Sequence, residues 1–182
     1  MPKLLLISGS LRAGSYNRKL LEEAARLFGE AEVVRADLRL PLYDGDLEDA
    51  EGIPAQVQAL ADQVAAADAV VISTPEYNKN LSGVLKNALD WVSRTKGGPW
   101  RGKPVAIVSA TGGRAGGERA QNSLRLCLNP FRPHVLPGPE VLVGQCEEQF
   151  DAQGRLTNVR YEKALTELMS DLRALSALAK AA

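Results

Sequence analysis

Cysteine is scarce in this chain: Cys127 and Cys146 are the only two among 182 residues, and they stand in no metal-ligand spacing. A disulfide framework and a zinc site therefore have no support, and two small residues in a reducing cytosol are expected instead. An excess of one charge is missing as well. The 22 Lys and Arg balance the 22 Asp and Glu, which removes the long-range pull toward nucleic acid or an anionic membrane and leaves room only for a local positive site. Long apolar runs are absent. Leu4 to Ile7 stops at Ser8, short of the roughly 7 to 15 residues of a signal-peptide core and the roughly 18 of a membrane span. A soluble, cytoplasmic protein without a membrane partner follows as an expectation. The P-loop tripeptide Gly-Lys-Ser/Thr occurs nowhere, and Gly9 and Gly14 lie five apart with Arg12 between them, which is not the dinucleotide fingerprint.

What is present is an ordinary globular composition, 45% hydrophobic and 24% charged, in a length that suits one domain over residues 1–182. Short continuous apolar runs recur at Leu4–Ile7, Val33–Val34, Ala69–Ile72, Val105–Val108 and Val141–Val143. Continuous rather than alternating apolarity marks strands covered on both faces. Between them lie helical spacings: Leu20, Leu21, Ala24 and Phe28 after Ser15 and Asn17; Val57, Leu60, Ala61 and Val64 after Pro54; Leu85, Ala88, Leu89 and Val92 after Ser82. A terminal helix is expected over roughly Tyr161–Ala179, with Leu165, Leu168, Leu172, Leu175 and Leu178 on its packing face. Strands alternating with helices indicate an α/β domain with a parallel sheet covered on both faces, three layers in all; five strands fit the doubly wound flavodoxin-like order 2-1-3-4-5 at least as well as a truncated dinucleotide fold of six strands. A ligand of such a sheet sits beyond the carboxyl ends of the strands, so the loops after Ile7, Ile72 and Val108 matter most.

The first of these loops, Ser8-Gly9-Ser10-Leu11-Arg12-Ala13-Gly14-Ser15-Tyr16-Asn17, runs into a helix start. Hydroxyls, an amide and an arginine converge there on unpaired helical N–H groups, which suits a phosphate monoester; the alternative is a polar turn with an ordinary Ser or Asn cap. Asp37 ends the second strand, where a ribose-binding acid would sit. The second loop carries Pro75-Glu76-Tyr77-Asn78, whose stiff start, flat ring and amide suit a planar ligand or make a proline turn with a surface tyrosine. The third, Ala110-Thr111-Gly112-Gly113-Arg114-Ala115-Gly116-Gly117, either lets the main chain approach a ring closely or is simply flexible.

Taken in order, Ser8-Gly9-Ser10-Leu11-Arg12 with Ser15 and Asn17, then Thr74-Pro75-Glu76-Tyr77-Asn78, then Leu85-Lys86-Asn87-Ala88-Leu89-Asp90-Trp91, resemble the NADPH-dependent FMN reductase family. Its bacterial NAD(P)H quinone, chromate and ferric reductases are the most similar members. The resemblance implies a flavoprotein with one non-covalent FMN. Its phosphate would rest on Ser10, Arg12, Ser15, Tyr16, Asn17 and the helix start at Arg18 and Lys19. The ring would lie against Pro75, Glu76, Tyr77 and Asn78, with Ala110, Thr111, Gly112 and Gly113 closing the other side; where Ala110 stands, relatives often carry a hydroxyl. A ping-pong oxidoreductase is implied, with NADPH or NADH as donor and a small-molecule acceptor: quinones, chromate, ferric chelates, azo compounds or free flavin. No side-chain acid–base pair is needed, and His134 reads as structural. Arg94 resembles a position beside the flavin, often across a subunit boundary, and is expected to position the nicotinamide or the acceptor; the alternative is a helix-end arginine answering the dipole. Members are usually homodimers or homotetramers. Trp91 reads as core or subunit interface, and Trp100 as site rim or loop anchor. A flavodoxin-type electron carrier shares fold and cofactor, but such carriers are commonly acidic and lack an arginine in the phosphate loop. A nucleotide-binding regulatory module without redox chemistry is the remaining alternative, resting on Asp37.

Overall fold

The computed structural model describes residues 1–181. Strands β1 (Lys3–Ser8), β2 (Glu32–Arg35), β3 (Ala69–Ser73), β4 (Pro104–Ala110), β5 (His134–Val135) and β6 (Val141–Val143) form one sheet with the path β2-β1-β3-β4-β5, and β6 also pairs with β4. Every pairing is parallel. Pro104 and Val105 face β5, while Val108, Ser109 and Ala110 face β6. The expected fifth strand is therefore one edge strand in two pieces, parted by Leu136-Pro137-Gly138-Pro139-Glu140. Pro137 and Pro139 lack the N–H a ladder needs, and an edge tolerates that gap.

Helices α1 (Tyr16–Phe28) and α6 (Val159–Ala181) cover one face of the sheet; α3 (Ala55–Ala66), α4 (Gly83–Ser93) and α5 (Glu118–Leu128) cover the other. Neighbouring strand residues alternate between the two cores. Leu4 and Leu6 pack with Leu20, Phe28, Leu165 and Leu172; Leu5 and Ile7 pack with Leu60, Val64, Leu85 and Leu124. This division is why the apolar runs are continuous, and each such leucine contributes about 1.5–3 kcal/mol by leaving water. The short α2 (Gly45–Glu51) buries no residue and so had no apolar stripe to betray it. In α6 the expected face is buried through Leu172, whereas Leu178 is exposed. Among the described residues no helix is long and apolar enough to cross a membrane.

Both tryptophans settle on the bland alternative. Trp91 is fully buried in α4, its Nε1 donating to the Pro41 carbonyl at 2.8 Å. Trp100 is buried before β4 among Val92, Pro130 and Phe131, and is a loop anchor. His134 is exposed and pairs with Pro104 at the amino end of β4, opposite the three loops.

One buried carboxylate ties the carboxy-terminal arm to α1. The Glu23 side chain, 3% exposed, accepts from both Arg26 Nε and Nη2 at 3.0 Å, from Arg155 at 2.9 Å and from the Leu156 N–H at 3.3 Å. Burial by itself would raise its pKa. The hydrogen bonds from Arg26, Arg155 and Leu156 outweigh burial and hold the carboxyl below its ordinary 4.5. A depressed carboxylate contributes stability above that value and loses it as pH falls through the folded-state value. Glu23→Gln is expected to lose about 1–3 kcal/mol at neutral pH, discounted because both arginines are partly solvated. As the pH falls through the depressed folded-state value the gap from wild type should close; urea melts at neutral pH and along an acid series check this, and a gap that stays constant throughout would contradict it.

Candidate cofactor site

The three loops meet at one point because their ends are cross-linked. Asn17, 4% exposed, receives the Ser73 hydroxyl at 2.7 Å and the Ala110 N–H at 3.0 Å on its Oδ1, and donates from Nδ2 to the Ala110 carbonyl at 2.9 Å. One amide on α1 thereby joins the ends of β3 and β4. Gly9 donates to the Ser73 carbonyl at 2.7 Å, and the Ser82 hydroxyl donates back to the Gly9 carbonyl at 2.7 Å. A Cβ at Gly9 would press on Ser82, Pro75 and the Ser73 carbonyl, so this crossing admits only glycine without displacement.

Around that knot lies a cleft of about 150 Å³, lined from the first loop by Ser10, Arg12, Ser15, Tyr16 and Asn17. The second and third loops add Pro75, Glu76, Tyr77, Ala110, Thr111 and Gly112. The structure thus gathers most of the expected residues, and adds Cys146 and Glu147 from the turn after β6. Those two were missed, although a turn following the fifth strand obeys the same carboxyl-end rule. Burial, and after it the Glu147 carboxylate, pushes the Cys146 thiol up, so it is a wall rather than a nucleophile.

Four expected residues do not line this cleft. Arg18 turns to the other side of the first loop, its Nε reaching the Ser10 carbonyl at 3.4 Å. Lys19 lies over the Tyr16 ring at 4.8 Å. Asn78 forms the tip of a tight hairpin with Lys79, both at positive φ, closed by paired hydrogen bonds between Tyr77 and Asn80. Gly113 buttresses the third loop through its carbonyl, which accepts from Thr111 Oγ1 and from the Gln145 N–H. Arg94 is also elsewhere, paired with Glu48 at 2.8 Å; that contact raises its pKa.

Two side chains have structural work that their sequence positions do not reveal. The Glu76 carboxylate accepts the N–H groups of Arg119 at 3.1 Å and Ala120 at 3.3 Å, capping α5, whose Gly117 cap has no side chain. One oxygen of the Glu76 carboxylate, Oε2, is thereby committed to the helix. In the third loop, a Cβ on Gly116 would overlap the Leu142 carbonyl and one on Gly117 would overlap Ser109, whereas Gly112 and Gly113 meet nothing within 4 Å. Two of the four glycines serve packing, and two leave the rim open.

The donor set fits FMN. Among the described residues Arg12 has no carboxylate partner, and the N–H groups of Arg12, Ala13 and Tyr16 make no hydrogen bond. Ser15 caps α1 by accepting from the Asn17 N–H at 3.2 Å, which leaves the positive end of a 13-residue helix facing the cleft. One cation, free N–H groups and the Ser10 hydroxyl match a phosphate dianion. On the second and third loops, the N–H groups of Glu76 and Gly112 are likewise unpaired among the described residues and line the same cleft as the exposed Tyr77 ring.

Residues 2–148 match the family model for NADPH-dependent FMN reductase. The chain belongs to that family. An NAD(P)H-dependent FMN reductase of Pseudomonas aeruginosa is 45% identical over 175 residues, covering 95% of this chain and 92% of the relative. A quinone reductase of Escherichia coli K12 is 41% identical over 154 residues, covering 83% and 82%. Among solved structures, the flavoenzyme NAD(P)H:(acceptor) oxidoreductase FerB of Paracoccus denitrificans superposes with a TM-score of 0.86 at 31% identity, covering 98% of each chain. The cleft at the ends of β1, β3 and β4 lies where the carboxyl-end rule places a ligand of such a sheet.

Proposed function

We propose that this chain is an FMN-containing oxidoreductase that takes electrons from NADPH or NADH and delivers them to quinones or free flavin. The observation that carries the reading is the unpartnered Arg12 beside the capped start of α1, facing an open rim made by Tyr77 and Gly112. The chemistry FMN supplies when bound is hydride acceptance from a reduced nicotinamide and electron release to an acceptor. Arg12, Ser10 and the α1 N–H groups hold the phosphate. The unpaired N–H groups of Glu76 and Gly112, on the cleft wall, would stabilise negative charge developing on a reduced flavin bound there, as an oxyanion hole does.

A cleft of about 150 Å³ is smaller than the roughly 300–1,000 Å³ that enclose a whole ligand. It would hold the phosphate end, with the ring toward the rim at Tyr77 and Gly112 and accessible to other molecules. Donor and acceptor therefore take turns at one face, and an open rim imposes little steric choice, so chromate, ferric chelates and azo compounds are acceptors in the same reading. Arg94 lies outside the cofactor cleft of its own chain, paired with Glu48; its positioning role is exerted in a homo-oligomer, on a neighbouring copy. Initial rates with NADPH at several fixed benzoquinone concentrations are expected to give parallel double-reciprocal lines. Intersecting lines would mean that both substrates bind together, against the turn-taking.

A further inference from the structure

The first loop has a second side. Between it, α1 and the end of β2 lies a cleft of about 260 Å³ that shares none of the cofactor residues. Its floor is apolar, from Leu11, Leu21 and Leu38, and three arginines stand around it: Arg18, Arg35 and Arg39. Arg35 is held by both oxygens of Glu22, at 2.7 and 2.6 Å, so that pair is neutral. Arg39 faces Asp37 at 3.1 Å, and the same carboxylate oxygen folds back onto the Arg39 N–H at 3.1 Å. Arg18 has no carboxylate partner among the described residues; its one contact is the Ser10 carbonyl. The cleft thus carries one uncompensated positive charge over an apolar floor.

We propose that this cleft takes the adenosine end of NADPH, with the 2′-phosphate on Arg18 and Arg39; the assignment rests on the reductase reading above. In dinucleotide folds whose first loop holds the pyrophosphate, the adenosine ribose lies at the end of β2, where an acid reads its hydroxyls or an arginine its 2′-phosphate; in this sheet the first loop faces the FMN site, and only the β2 end, with its arginines and apolar floor, corresponds. Here Asp37 occupies the acid's place but is turned onto Arg39, and the free charge is positive. Adenine, a flat and largely apolar ring, suits the leucine floor and can stack on a guanidinium plane. The geometry also divides the anions: Arg12 faces the FMN phosphate on one side of the loop, and Arg18 faces the dinucleotide on the other. A nicotinamide over the rim and an adenosine behind Leu11 place the dinucleotide across the first loop, while the start of α1 remains with FMN.

The probe is 2′,5′-ADP, titrated by calorimetry into FMN-loaded protein. It is expected to bind, to compete with NADPH, and to bind at least about tenfold tighter than 5′-AMP, which lacks the 2′-phosphate. Arg18→Ala and Arg39→Ala should each weaken it about tenfold or more and lower the NADPH-to-NADH ratio of kcat/KM by a similar factor. Arg39 is exposed and touches the first loop only by a long hydrogen bond to the Leu11 carbonyl at 3.4 Å, so its variant tests the cleft even where Arg18→Ala disturbs the loop. Equal binding of 2′,5′-ADP by wild type and Arg39→Ala, or no preference over 5′-AMP, would overturn the proposal. The reductase reading fails separately: a protein that binds the probe but is never reduced by NADPH overturns that reading alone, and one reduced by NADPH that ignores the probe overturns only this assignment.

Discussion

Asn17→Ala is expected to be the most damaging single substitution near the site, costing about 3 kcal/mol of stability. The side chain is buried, and its loss strands the Ser73 hydroxyl and both backbone groups of Ala110, residues that are 0% and 2% exposed. Each stranded buried group costs about 1–3 kcal/mol, and relaxation with entering water keeps the total near the low end. In a domain of this size that is a fall of about 6–12 °C in melting temperature. The same change unties β3 from β4 at the cleft, so FMN retention should fall with it. Asn17→Asp keeps the two acceptor contacts, loses the donor to Ala110 and places a carboxylate beneath the phosphate; it should damage FMN binding more than stability. Thermal melts and FMN titrations of the apo-proteins measure both quantities. A stability change below about 0.5 kcal/mol for Asn17→Ala, the level of an ordinary surface substitution, would show that the amide is no tie.

Arg12→Ala has the opposite profile. The side chain is exposed and unpaired, so folding stability should change by less than about 0.5 kcal/mol. Its charge-assisted contacts with a phosphate are worth about 1.5–3 kcal/mol, or roughly 10- to 100-fold in the FMN dissociation constant. Riboflavin, which has the ring and no phosphate, should bind wild type and variant alike. That comparison separates a phosphate ligand from a general disturbance of the cleft: an equal loss for both flavins, or for neither, would remove Arg12 from the phosphate site.

Much of this was legible locally. The doubly wound sheet follows from apolar runs at Leu4–Ile7, Ala69–Ile72 and Val105–Val108 separated by helical spacings, because burial on two faces leaves a continuous apolar trace. Ser15 and Ser82 announced their helices as caps, and both hydroxyls accept the expected N–H groups. What stayed hidden depends on residues distant in the chain. Asn17 reads as a phosphate donor, yet its partners are 56 and 93 positions away. Glu76 reads as a ring contact, yet its carboxylate caps a helix 43 positions on. Arg18 belongs to the helix start by sequence, but its first-turn side chain leaves α1 on the β2 side. Periodicity and propensity report which face a residue occupies, not which remote backbone group is waiting there. The amphipathic α5 was overlooked for a related reason: Ala120, Gln121, Leu124 and Leu128 make a narrow buried stripe with a polar member.

The proposed reaction requires that one FMN in the cleft of β1, β3 and β4 be reduced directly by a nicotinamide cofactor. Anaerobic titration of FMN-loaded protein with NADPH, followed in the visible spectrum, tests it most directly. The yellow flavin absorbance is expected to be lost within mixing time as NADPH is added and to return when benzoquinone follows. A flavin that stays bound and yellow under excess NADPH and NADH would contradict it and mark a carrier, and a protein that takes up no FMN would contradict the site itself.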